Sequence, residues 1–198
     1  MTRGVVLPAP ALRRALPFVV TVLLLPAVLL RAATGNAASE TLTGADPCAG
    51  FSWNVTHERS LFAGHARRLR AGTDLSSAPR ITTDRLYEAT LQPQGAVRFP
   101  APPGKQPREG DVFAGLLRLR VPEARLYRIS ADEPFWIDVI VGSQPLSAVS
   151  YQGRPGCHAP HKIVQFMLTP SQQLVVQLSG AGSSRARLTI TRAPRESP

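Results

Sequence analysis

The tightest constraint on the fold of this chain is a period of two. Leu117, Leu119 and Val121 alternate with Arg118 and Arg120, which makes one face of the segment apolar and the other cationic. Successive side chains of a strand point to opposite faces, so this alternation reads as a strand with one buried side. The same pattern recurs in Tyr87, Ala89 and Leu91, in Val97 and Phe99, and across residues 127–130. It returns where Phe135, Ile137, Val139 and Val141 oppose Trp136, Asp138 and Ile140. The last third repeats it three times, in Val164, Phe166 and Leu168, in Leu174, Val176 and Leu178, and in Ala186, Leu188 and Ile190. Turn signals separate the runs: Gln94 with Gly95, Gly142 with Ser143, Pro170 with Ser171, and residues 180–184. Residues 100–110 carry Pro100, Pro102, Pro103, Gly104, Pro107 and Gly110 and read as an exposed loop, because proline supplies no ladder donor. Phe51 to Val55 also alternates and reads as an opening strand. Residues 56–69 alone offer a helix, short and capped by Thr56. About eight short strands predict an all-β fold, an antiparallel β-sandwich of jelly-roll-like form with at most one short N-terminal helix.

The first residues predict export. Arg3, Arg13 and Arg14 precede an almost wholly apolar run over residues 15–30, and no acid occurs before Glu40. Gly35, Asn36 and Ala37 then fit the small-x-small rule for signal cleavage. The run is about 16 residues and contains Pro17 and Pro26, short of the roughly 20 that a spanning helix needs. Cys48 stands too far past the run for a lipoprotein. The expected organisation is therefore a signal peptide at 1–37, a flexible leader at 38–50, the β-sandwich domain at 51–192 and a disordered tail at 193–198. The mature chain is expected to be periplasmic or secreted, with no membrane span.

Cleavage removes four arginines and no acid, so the net charge falls from +10 to +6. The basic residues are spread along the chain without a dense run among aromatics, which argues against nucleic acid and leaves an anionic surface open. Of the 23 basic residues only two are lysine, a bias that suits a GC-rich bacterial genome.

Two cysteines in an exported chain suggest one disulfide, Cys48 with Cys157. Cys157, His158 and His161 also form the one cluster with metal-ligating chemistry. Imidazoles and a thiolate suit copper or zinc, and His57 or His65 would supply a further ligand. The two readings compete for the Cys157 sulfur. Asp132, Glu133 and Asp138 are close in sequence, but Pro134 and Trp136 among them read as a hairpin edge rather than a calcium site. No G-x-S-x-G elbow, phosphate-binding glycine loop or zinc-protease helix motif occurs. His57 and Glu58 are followed by Leu61 where the protease motif needs histidine. Trp136 and Tyr127 are the candidates for a binding face, with core packing as the alternative.

Four segments carry a resemblance. They are the run from Cys48 to Val55, the run Asp84, Arg85, Leu86 and Tyr87, the run from Pro134 to Val139, and the run from Gly156 to Val164. Together they resemble a family of small exported proteobacterial proteins that often carry a transferred label, homogentisate 1,2-dioxygenase. That label implies iron held by two histidines and a glutamate. Here no H-x-H precedes a nearby glutamate, and the first glutamate after His161 is Glu196. The strand order also resembles the accessory β-sandwiches of secreted bacterial peptidases, a likeness of fold alone. The resulting expectation is a non-catalytic module that binds a periplasmic protein or polysaccharide without a cofactor, with a copper or zinc protein as the alternative.

Overall fold

A computed structural model describes residues 46–195, apart from 106–109, 111 and 171–172. The expected signal peptide, residues 38–45 of the leader and residues 196–198 of the tail lie outside the described residues. Among those described, one α-helix, α1 (Thr56–Phe62), accompanies twelve strands in two sheets. The strands are β1 (Arg67–Arg70), β2 (Arg80–Ile81), β3 (Leu86–Thr90), β4 (Gln92–Pro93), β5 (Phe113–Leu119), β6 (Arg125–Ala131), β7 (Trp136–Val141), β8 (Gln144–Pro145), β9 (Ser150–Gly153), β10 (Lys162–Leu168), β11 (Leu174–Ala181) and β12 (Arg185–Arg192).

The first sheet runs β1-β3-β12-β6-β10-β9. The second runs β2-β5-β11-β7-β8, with β4 also paired to β5. Counted along the chain, β3, β5, β6, β7, β8, β10, β11 and β12 are the first to eighth principal strands. The first sheet then holds the first, eighth, third and sixth side by side, and the second sheet holds the second, seventh, fourth and fifth. This is the order of a jelly roll, two interlocked Greek keys. The pairing is antiparallel except at two short edges, where β1 lies parallel to β3 and β2 parallel to β5.

Alternation builds the core. Leu117, Ile129, Val139, Phe166, Val176 and Leu188 meet between the sheets and are fully buried or nearly so. Gly142, at φ 62°, and Ser143 make the two-residue turn that pairs Val141 with Gln144, a backbone setting that favours glycine.

Two stretches depart from the alternation. Val97 and Phe99 form no strand. A 3-10 turn at Gln94–Ala96 precedes them, and residues 97–101 lie over the outer face of the second sheet. There Val97 and Ala101 cover Leu116, Ile140 and Val175 in a second, smaller core. Pro93, Pro100, Pro102 and Pro103 remove the donors that a ladder would need. Phe51 to Val55 is likewise not a strand, because its polar groups find side chains instead. The Ser52 N–H donates to Gln152 Oε1 at 2.9 Å, and the Arg128 guanidinium lies 5.0 Å from the Trp53 ring centroid.

Helix α1 begins one residue earlier than a Thr56 cap would allow. Val55 occupies the cap position, and Asn54 Oδ1 accepts from the Thr56 N–H at 3.0 Å. Glu58 and Phe62, four apart and so on one face, are the buried side of the helix. The helix packs on β12. The leader's end is ordered too: Pro47–Gly50 is a 3-10 turn, joined through Cys48 to Cys157 by the expected disulfide, with Cα atoms 5.0 Å apart. The tail begins in structure, since Ala193 is buried and its N–H donates to the Leu126 carbonyl at 3.0 Å.

Candidate functional site

One end of the sandwich opens into a cleft where β7 begins, β11 ends, and β9 and β10 meet. The cleft has a volume of about 420 Å³. Along β7, Ile137 and Val139 enter the main core, which sends Trp136 and Asp138 to the other face. Trp136 is more than a third exposed, an unusual placement for so large an apolar ring. Its orientation is fixed by Asp138, whose Oδ1 accepts the indole N–H at 2.8 Å. Asp138 Oδ2 accepts from the Gly104 N–H at 3.1 Å and from Gln177 Nε2 at 3.3 Å. A Cβ on Gly104 would stand 2.7 Å from Trp136 Nε1, so only glycine lets this segment lie so close.

The facing wall comes from the other sheet. Register pairs Tyr151 of β9 with Val164 of β10 and Gly153 with Lys162, which places Tyr151 and Lys162 at the cleft. Tyr151 is 76% exposed, the most exposed of the large apolar side chains among the described residues. Ser179 pairs with Trp136 across β11 and lies in the cleft floor. Its hydroxyl is buried and has no hydrogen-bond partner among the described residues.

The cleft is cationic. The ammonium nitrogens of Lys105 and Lys162 stand 5.9 and 5.5 Å from the Trp136 ring centroid. These are the only two lysines in the chain. Lys162 Nζ donates to the Phe135 carbonyl at 2.8 Å. Burial pushes the Lys162 ammonium down to about 8; repulsion from Lys105 adds to this and the Asp138 carboxylate opposes it. His161, on the same wall, is held below its usual value chiefly by burial.

Of the two aromatics expected on a binding face, Trp136 lines the cleft and Tyr127 does not. Tyr127 is fully buried on β6, where its core-facing position is filled by the ring and its hydroxyl donates to the Glu123 carbonyl at 3.0 Å. The Lys105, Tyr151 and Lys162 walls were not singled out from the sequence. The signal for two of them was compositional: lysine persists at two positions in a chain that otherwise uses arginine.

The His158 and His161 rings do come together, with centroids 6.5 Å apart and planes 29° from parallel. Cys157 is spent on the disulfide, which withdraws its thiolate from any metal set. His57 is engaged elsewhere, with Nε2 3.0 Å from Asp84 Oδ1, and His65 is exposed beyond α1. Among the described residues no group of three His, Cys, Asp or Glu side chains is placed to hold an ion. Asp132 accepts the Arg187 N–H at 2.9 Å, and burial raises its carboxyl to about 6.

A larger hollow of about 980 Å³ lies on the outer face of the first sheet beside Trp53, Arg128 and Met167. Its strongest polar group is already engaged. Arg128 donates to the Asn54 carbonyl at 2.8 Å, pairs with Glu58 at 3.4 Å and carries Trp53 on its guanidinium. The end cleft, with an open indole and two ammoniums beside it, is therefore the better candidate. Among the described residues no helix is long and apolar enough to cross a membrane. No family model, curated protein or solved structure matches this chain.

Proposed function

We propose that the chain is an exported, non-catalytic β-sandwich module that binds a glycan in the periplasm through the end cleft. One observation carries the reading: Trp136, 37% exposed, and Tyr151, 76% exposed, line the same cleft. Planar rings held at the surface offer apolar faces to the C–H faces of a sugar, while neighbouring polar groups take its hydroxyls. Asp138 and Gly104 hold the indole in place, so little freedom is lost on binding. A glycan array with the exported protein tests the reading. Trp136→Ala should weaken the best glycan at least about tenfold with an unchanged circular dichroism spectrum, as for a central interface ring. Equal binding by the variant would remove the cleft from the function.

A protein partner is the second reading, favoured by a different surface. Val149, Tyr151 and Met167 are 60, 76 and 57% exposed along the β9–β10 edge. If this edge is the contact, Val149→Asp with Met167→Asp abolishes capture of one periplasmic protein and leaves glycan binding intact.

A further inference from the structure

We propose that the end cleft selects an acidic sugar, a pyranoside bearing a carboxylate, which its two lysines hold against the Trp136 ring. The inference rests on the glycan reading and names the class of glycan. Its starting point is placement. The chain has 23 basic residues and only two are lysine, yet both stand within 6 Å of one indole centroid. They reach it from separate parts of the chain, Lys105 from the proline-rich segment after β4 and Lys162 from the first position of β10. A lysine side chain ends in a compact charge with three donors, which suits several sugar oxygens at different angles.

The charges around the cleft agree with an anionic guest. Asp138 is the carboxylate beside the indole, and it already accepts from Trp136, Gly104 and Gln177. Among the described residues, two ammoniums thus meet one engaged carboxylate at the indole, with Glu133 acting on the neighbouring His161, and this positive field is one that an incoming acid would neutralise. Lys162 is partly desolvated and, among the described residues, donates one hydrogen bond, to the Phe135 carbonyl, so its remaining donors gain from a charged acceptor. A neutral sugar would use the ring and add nothing to the single Asp138 carboxylate that faces the ammonium pair.

The experiment uses the exported, disulfide-bonded protein and titrates it with a panel of uronate oligosaccharides. Each is presented beside its methyl-esterified form, which keeps the ring and removes the charge, and beside a neutral oligosaccharide of equal length. Calorimetry reads the affinity. The expected result is that at least one uronate binds ten times or more tightly than its ester. Lys105→Gln, in an exposed segment, should narrow that ratio at least threefold by weakening the acid form more than the ester. Raising the salt from about 0.05 to 0.5 M should weaken the acid form and spare the ester. Equal affinity for acid and ester, or binding of the neutral sugar alone, overturns the acid selection and leaves the glycan reading standing. No binding by any saccharide overturns both.

Discussion

Lys162 shows how one side chain can make the chemistry of a site and the stability of a fold run in opposite directions with pH. Its ammonium titrates near 8 in the folded protein, against 10.5 for an unburied lysine. The unfolded chain therefore holds the proton more tightly across that interval. Where the unfolded state binds more protons, stability rises with pH. Below about 8 the buried ammonium is charged in both states and its desolvation cost is fully present; the cost is relieved as pH climbs toward 10.5. With the partial exposure of the group discounted, the gain is of the order of 1 kcal/mol. Urea denaturation at pH 7.5 and 10 should show this rise relative to Lys162→Met, which lacks it; parallel pH profiles for the two proteins would refute the assignment. Affinity for an anion follows the other sign. Lys105, Asp138 and His161 also face this wall, and above pH 8 the loss of the Lys162 charge leaves Lys105 as the remaining ammonium. A tenfold weakening of acid binding between pH 7 and 9 is expected, and Lys162→Arg should flatten it.

At the scale of elements, helix α1 is legible in its start but not its end: the sequence offers a short helix over 56–69, the helix stops at Phe62, and Arg67–Arg70 is a strand. The helix has seven residues, too few to be stable on their own. Its place is set by a polar anchor under it. Glu58 Oε1 accepts from Thr191 Oγ1 at 2.6 Å and pairs with Arg128 Nη1 at 3.4 Å, and both Glu58 and Arg128 are at least 95% buried. Arg187 adds a bond from Nη2 to the Phe62 carbonyl at 2.7 Å. The alternation of Phe51 to Val55 misleads for the same reason: that segment's ring and backbone serve Arg128, seventy-odd residues away, and no neighbouring strand offers a ladder. By contrast β10 and β12 coincide with their alternating runs, because each is paired on both sides and its apolar set has one core to enter. The anchor makes a prediction. Arg128→Met leaves the Glu58 carboxylate buried without its cation and should cost about 3–5 kcal/mol in urea denaturation. Arg128→Met combined with Glu58→Gln should recover part of that loss. A single-variant cost below about 1 kcal/mol would mean that α1 is held by Phe62, Thr191 and Arg187 without the Arg128 pair.

For the whole molecule, period-two runs separated by turns identify the class, and the cross-sheet order supplies what they leave open. The cleft is assembled from Lys105, residues 134–136, residues 151–153 with Pro155, residues 161–162 and residues 179–180, five stretches joined only through that order. Trp136 is recognisable in the sequence as an aromatic on the wrong side of its strand. Tyr151 is not, because β9 has four residues with no apolar alternation and exists through its pairing with β10. The disulfide is the element of global order that the sequence does announce, and it spans 109 positions. It fastens the turn before α1 to the loop between β9 and β10, next to the wall that carries His161 and Lys162. Closing so long a loop restricts the unfolded chain, which in the entropic account stabilises the fold by roughly 4–5 kcal/mol. Strain and residual structure usually lower the measured figure, so replacing both cysteines by serine should cost about 2–4 kcal/mol. The cysteines lie outside the sandwich core, so the double variant should keep its β-rich circular dichroism spectrum at room temperature and unfold at lower urea. Intact mass of the exported protein should show no alkylated thiol before reduction and two after it. Two alkylated thiols without reduction would refute the bridge in the living cell, and a stability loss below about 1 kcal/mol would show that the N-terminal turn docks without it.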